Sequence, residues 1–239
     1  MNISFTGKVA LVAGGTGGLG RAVSLAFLRE GATVAVPYHH EKEFAALRDA
    51  AGETAAALEG HPLDVTDEAA VGSFVADLMA RHGRLDAVVN TVGGYAGGIR
   101  LWDLETKTFE AMLALNLRAG FVLARAVLPA LLKQGHGALV NVAAKAAVDH
   151  GGGAAAYAAS KAAALAMIDS LAADTKGTGV RVNSILPSII DTPANRKAMP
   201  DANFDAWPKP EDIAMVILFL SSDAATTIHG AAIPVYGNQ

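Results

Sequence analysis

The chain has 239 residues, 52% hydrophobic and 18% charged; that is ample material for a substantial core and excludes global disorder. Nineteen Lys+Arg against 23 Asp+Glu leave a net charge of −4, and the absence of any basic run argues against a nucleic-acid reader. Cysteine is absent, which removes disulfides, thiolate nucleophiles and sulfur-held metals, and no apolar stretch approaches the ~18 residues of a membrane span, so a soluble cytoplasmic protein with no membrane partner is expected.

In chain order, Val9–Ala13 is a short apolar run that reads as a strand, followed by Gly14-Gly15-Thr16-Gly17-Gly18-Leu19-Gly20 and a helical stretch over Gly18–Glu30. Two glycine patterns overlap here: Gly15, Gly17 and Gly20 fit G-x-G-x-x-G, while Gly14, Gly18 and Gly20 fit G-x-x-x-G-x-G. Either lets the backbone turn sharply and approach a pyrophosphate seated on the free N–H groups of a helix start. Thr33–Val36 is the second strand. Its end reads Val36-Pro37-Tyr38-His39-His40-Glu41, where an acid would read an unmodified adenosine ribose. No acid stands at the strand end itself; His39 and His40, with Lys42 near, suit a 2′-phosphate, so NADP(H) is favoured over NAD(H), the alternative being two solvated loop histidines.

Helix Glu41–Ala51 and a strand near Leu58–Leu63 lead to Asp64, which suits either an adenine amino group or the cap of the helix Glu68–Arg81. Strand Ala87–Thr91, a glycine-rich stretch Gly93–Gly98, helix Thr108–Lys133 and strand Ala138–Ala143 follow. In helix Ala154–Lys176, Tyr157 and Lys161 stand four apart and so share one face. A phenol beside an ammonium is expected to have a lowered pKa and to trade protons near neutrality. Strand Val180–Leu186, an irregular flap over about residues 192–209, helix Glu211–Ser221 and strand Ala232–Val235 complete the chain. Each apolar run reads as a strand buried on both faces. The alternation predicts one α/β domain over residues 1–239, with a doubly wound parallel sheet of about seven strands and helices on both faces. His61, His82, His136 and His229 lack metal-ligand spacing, and no metal is expected.

Taken together, Gly14, Gly18 and Gly20, Asp64-Val65, Asn90-Thr91-Val92-Gly93, Asn116, Tyr157 with Lys161, and Pro187 through Thr192 resemble the classical short-chain dehydrogenase/reductase family along nearly the whole chain. The resemblance implies a single-domain Rossmann fold, hydride transfer at a nicotinamide and a homotetramer or homodimer built on the two long helices. It also implies that Tyr157 donates the proton, that Lys161 holds the nicotinamide ribose, that Asn116 anchors a proton-relay water, and that Ile190 backbone and the Thr192 hydroxyl hold the carboxamide. Thr16, Gly17, Leu19, Tyr38, Val65, Asn90, Gly93 and Pro187 join the glycines as expected cofactor contacts.

One position departs from the family. Its catalytic serine lies thirteen places before the tyrosine, where this chain has Ala144. Losing one oxyanion donor typically costs ~2.7–4 kcal/mol of transition-state stabilisation. Three explanations stand: a substrate that needs no such donor, a substitute donor, or a non-catalytic NAD(P)-sensing protein. The first is supported by similarity to the quinonoid dihydropteridine reductase branch, which also has alanine there. The similarity lies in Val92–Gly98, Ala144–Asp149 and the flap run Asp191-Thr192-Pro193-Ala194-Asn195-Arg196-Lys197-Ala198-Met199-Pro200. That implies a small conjugated acceptor, a quinonoid dihydropterin above all; a 3-oxoacyl or other carbonyl reductase is the alternative. Two departures from that branch are the missing acid after the second strand and the retained Asn116. Tyr95 and Trp207 suit stacking on a planar ring, and Arg196 and Lys197 suit an anionic substrate group or a flap latch.

Overall fold

The computed structural model describes residues 3–238. Seven parallel strands form one sheet in the order β3-β2-β1-β4-β5-β6-β7. They are β1 Val9–Ala13, β2 Thr33–Tyr38, β3 Leu58–Pro62, β4 Ala87–Asn90, β5 Gly137–Val142, β6 Val180–Pro187 and β7 Ala232–Val235. Between them lie α1 Gly18–Arg29, α2 Glu41–Ala51, α3 Glu68–His82, α4 Thr106–Leu113, α5 Ala119–Gln134, α6 Ala155–Asp174, α7 Pro193–Ala198 and α8 Pro210–Ser221.

The apolar runs are continuous because each strand feeds two cores. Ala10, Val12, Val34, Val36 and Val140 face the layer of α1, α2 and α8, where Val23, Phe27, Leu47, Ile213 and Ile217 are buried. Val9, Leu11, Ala35, Val88 and Leu139 face the layer of α3, α5 and α6, with Phe74, Leu78, Val127, Leu131 and Ile168. Neighbouring residues point to opposite faces, so a strand between two helical layers has no polar side. The edge strands correct the expectation of burial on both faces: β3 and β7 are only partly covered. They carry Pro62 and Pro234, which the missing neighbour tolerates.

Residues Thr106–Gln134 form one helical run whose middle, Ala114–Arg118, is a single π turn. By length and composition this run is apolar enough to cross a membrane, which corrects the sequence expectation. Its Val122, Leu123, Val127 and Leu131 are buried in the core against the sheet.

Because β1 pairs with both β2 and β4, the connections leave it in opposite directions, and a crevice opens at the carboxyl ends of these strands. At the opposite end lies a cavity of about 460 Å³ lined by Lys8, Asp86, Arg181 and Asp223. Its charges are committed within the fold: Lys8 Nζ to Asp223 at 2.6 Å, Arg84 to Asp86 at 2.6 Å, and the Arg181 guanidinium to the carbonyls of Leu220 and Ser222 at 2.5 and 2.9 Å.

Candidate active site

The glycine loop closes the crevice on one side. Gly14 has φ +75°, and a Cβ on Gly20 would lie 2.0 Å from the Gly14 carbonyl oxygen, so these two positions admit only glycine. Both overlapping patterns have packing support: a Cβ on Gly15 would meet the Val12 carbonyl oxygen at 2.9 Å and one on Gly18 the Thr192 side chain at 3.0 Å, whereas Gly17 has room, its nearest neighbour being the Gly14 carbonyl oxygen at 3.4 Å. Helix α1 has Gly17 as its N-cap, so it begins with no side-chain cap, and there is no acid in its first turn. Helix α3, by contrast, is capped by Asp67, whose carboxylate accepts from Ala69 and Ala70 N–H. The free amides of α1 therefore remain available to an anion, which fits a dinucleotide pyrophosphate. Leu19 contributes only its backbone there, since its side chain is buried in the core.

A cavity of about 550 Å³ adjoins the loop, lined by Gly14, Thr16, His39, Glu43, Asp64 and Val65 among others. Of the predicted histidine pair only His39 lines it; His40 is exposed at the foot of α2. Tyr38 borders the cavity, but its ring stacks on Phe44 at 4.7 Å and its hydroxyl donates to Glu41. That bond holds the phenol pKa above its ordinary value. Asp64 does not cap α3. It accepts from the Thr66 N–H and hydroxyl at 2.8 and 2.7 Å, which lowers its carboxyl pKa. Glu43, which sequence reasoning passed over, accepts from the Thr16 hydroxyl at 3.1 Å. Its signal was an acid in the first turn of α2, one helical turn past the strand end where an acid was sought.

Across the crevice, α6 presents Tyr157 and Lys161. Lys161 is 5% exposed and its Nζ donates to the Val142 carbonyl at 3.1 Å, at the end of β5. Burial pulls its pKa down to about 8. Gly93 closes over both Lys161 and Asn116: a Cβ there would lie 3.0 Å from Lys161 Nζ and 2.9 Å from Asn116 Oδ1. Asn116 sits in the π turn. It accepts from Gly94 N–H at 2.9 Å and donates to the Gly94 carbonyl at 3.1 Å and to the Ser160 hydroxyl at 2.9 Å. Ser160 in turn donates to the Tyr157 carbonyl at 2.8 Å. Ser160 is a second residue that sequence reasoning missed, although its place between the tyrosine and the lysine was a signal.

The phenol of Tyr157 does not follow the expected shift. Desolvation by burial and the nearby Tyr95 push it up to about 12, and the buried ammonium does not offset this. At neutral pH the group is a protonated phenol. Tyr95, 69% exposed, meets it edge to face at 5.0 Å between ring centres. Its hydroxyl lies where a Gly97 Cβ would come within 2.0 Å. Ala144 is buried at 6% and has no hydroxyl to offer.

Other expected residues divide. Asn90 turns inward, donating to Asn141 Oδ1 at 2.9 Å and accepting from Val92 N–H at 3.2 Å, so it fixes the strand end rather than presenting its amide to the crevice. The Ile190 carbonyl accepts from Thr192 N–H and Asn195 Nδ2, both at 2.8 Å, and the Ile190 N–H has no hydrogen-bond partner among the described residues. Thr192 caps α7 by accepting from Asn195 N–H at 3.2 Å, and its hydroxyl proton remains to donate. Pro187 is the buried last residue of β6. In the flap, Arg196 is a latch: its guanidinium is paired with Asp191 at 2.5 and 2.7 Å and lies over the Phe204 ring. Trp207 is buried beneath, which removes it as a stacking platform. Lys145 lies over the Tyr236 ring, 3.7 Å from Asp149.

The short chain dehydrogenase family model matches residues 8–203. The 3-oxoacyl-[acyl-carrier-protein] reductase FabG of Thermotoga maritima is 31% identical, the alignment covering 97% of each chain. D-threitol dehydrogenase of Mycolicibacterium smegmatis is 35% identical, over 97% of this chain and 92% of the relative. A short-chain type dehydrogenase/reductase from Mycobacterium ulcerans superposes with a TM-score of 0.92 at 27% identity, over 98% of this chain and 90% of that one.

Proposed function

We infer the function of this chain from the premise that it belongs to the short chain dehydrogenase family. It is an NAD(P)-dependent oxidoreductase. The dinucleotide, when bound, supplies the hydride. The free amides at Gly18–Gly20 hold its pyrophosphate, the Ile190 amide and Thr192 hydroxyl hold its carboxamide, and Lys161 holds the nicotinamide ribose. The NADP(H) preference expected from the histidines rests on His39 alone, since His40 lies outside the cavity.

Tyr157 is the proton donor. It is a neutral phenol because its burial outweighs the ammonium one turn away, and a neutral phenol is the form a reduction consumes. Asn116 and Ser160 fix the backbone on which the phenol is carried. The substrate is a small conjugated acceptor, a quinonoid dihydropterin being the best candidate. Such a ring accepts one hydride and one proton without a localised alkoxide. The observation that carries this reading is the methyl group of Ala144, buried where a carbonyl reductase of this family has its oxyanion donor. Exposed Tyr95 offers a flat face at the rim for a planar acceptor. Assembly as a homodimer or homotetramer through α5 and α6 fits the exposure of Phe121 on α5.

The rival reading is a 3-oxoacyl or other carbonyl reductase in which the Tyr95 hydroxyl replaces the serine; it is favoured by the packing of the Tyr95 ring on Tyr157, 5.0 Å between ring centres. A sensor without turnover has no use for Tyr157 and Lys161 together. The discriminating experiment follows NAD(P)H oxidation with quinonoid dihydropterin, quinones and β-ketoesters side by side, on the wild type and Ala144→Ser. Preference for the conjugated acceptors, with ketone activity appearing only in Ala144→Ser, is expected. Efficient β-ketoester reduction by the wild type, lost in Tyr95→Phe and not improved by Ala144→Ser, establishes the rival.

A further inference from the structure

The cavity beside the glycine loop has a charge balance that the strand-end sequence did not suggest. Its lining includes Glu43 and Asp64 but no Lys or Arg. The acid missing from the end of β2 is supplied from the first turn of α2, where Glu43 is tied to the loop by the Thr16 hydroxyl at 3.1 Å. The first helical turn favours an ionised carboxylate. Of the other groups near that end, Lys42 and Arg48 do not line the cavity. Tyr38 donates to Glu41 and stacks on Phe44, His40 lies outside the cavity, and His39, the one lining group able to carry positive charge, faces Asp64 as well.

We propose that Glu43 sets the dinucleotide preference of this enzyme, rejecting a 2′-phosphate and selecting NAD(H). The proposal rests on reading the cavity as the adenosine-ribose end of the cofactor site. A phosphate ester brought into a cleft with two carboxylates and a single histidine meets more like charge than opposite charge. A ribose 2′-hydroxyl is instead a donor that Glu43 accepts, at the modest cost of loosening its bond to Thr16. The tie to Thr16 makes the carboxylate part of the loop's own structure, so its position is set before any ligand arrives.

The test is direct binding, with no turnover required. NADH and NADPH are titrated separately into the full-length protein by calorimetry, for the wild type, Glu43→Gln and Glu43→Arg. The expected wild-type result is NADH at least about tenfold tighter than NADPH, the difference narrowing as salt is raised. Glu43→Gln is expected to tighten NADPH about fivefold or more while NADH stays within about threefold, and Glu43→Arg to reverse the order. Glu43 is exposed, so both variants are expected to melt like the wild type, which a thermal scan checks. NADPH equal to or tighter than NADH in the wild type, or a ratio unmoved by both substitutions, overturns the proposal while leaving the dinucleotide reading intact. Binding of neither dinucleotide overturns the dinucleotide reading and the proposal with it.

Discussion

At the scale of single residues, the site is governed by desolvation. Tyr157 is pushed up to about 12 and Lys161 down to about 8 by the same burial, so the phenol keeps its proton through any ordinary assay and the ammonium does not. The alkaline limb of the pH–rate profile for reduction is therefore expected near 8, reporting Lys161, with activity falling as pH rises through it. A limb near 10 instead assigns it to an unperturbed group. The stability consequence has a definite sign. A lysine whose pKa falls from 10.5 to about 8 on folding destabilises the fold by roughly 3 kcal/mol while charged in both states, and the penalty disappears as pH rises from about 8 to 10.5. Lys161→Met is expected to melt higher than the wild type at neutral pH, the gain vanishing above about pH 10.5, while turnover is lost; denaturant titrations at both pH values measure it. The lost bond to the Val142 carbonyl reduces that gain. Tyr157→Phe leaves the packing in place and removes the proton, so turnover is expected to fall roughly 10²–10⁴-fold with dinucleotide affinity unchanged. Single-turnover hydride transfer and a binding titration separate the two effects.

At the scale of elements, the decisive feature is the π turn at Ala114–Arg118. A regular helix turns 3.6 residues at a time; the wider turn re-aims Asn116 from a place in an apolar sequence, Ala114-Leu115-Asn116-Leu117, toward Gly94 and Ser160. This was not legible from periodicity, which reads Thr108–Lys133 as one uninterrupted helix, because a single inserted residue shifts the apolar face without erasing it. Asn116 was named through family resemblance, but its observed partners are a loop backbone and Ser160 rather than a water alone. The Asn116 amide therefore ties the loop Gly93–Gly98 to the helix through its two bonds to Gly94. Asn116→Ala removes both bonds to the half-buried Gly94, and at about 0.5–1.5 kcal/mol per bond a stability loss of about 1–3 kcal/mol is expected. Amide exchange is expected to quicken at Gly94 and its neighbours far more than at the strands of the sheet. Uniform quickening throughout the molecule places Asn116 in the global core instead.

At the scale of the whole molecule, the doubly wound sheet was readable because burial on both faces leaves runs such as Val9–Ala13 and Ala87–Asn90 without a polar partner, and helices of ordinary length fill the gaps between them. What the sequence hid is three-dimensional in origin. Glu43 and Thr16 are 27 positions apart and meet only because α2 returns beside the glycine loop. Trp207 looks like a free aromatic in a polar flap until Phe204, itself covered by Arg196, packs against it. The candidate cofactor groups are likewise spread along the chain, from Gly14 to Thr192, and converge only at the carboxyl ends of the strands. A ligand that engages all of them ties the two halves of the sheet together and binds the folded state alone. At a dinucleotide concentration about 100 times its Kd, the fold should gain roughly 2.7 kcal/mol, which for a chain of this length is a rise in Tm of about 5–10 °C. The same rise is not available to Gly18→Asp, whose carboxylate would stand at the unblocked start of α1 and crowd the Thr192 side chain, 3.0 Å from where its Cβ must lie. Thermal scans of both proteins with and without NADH compare them directly. A variant that melts near the wild-type temperature yet gains nothing from NADH assigns the stabilisation to the start of α1, whereas an equal gain in both proteins moves the pyrophosphate away from that helix.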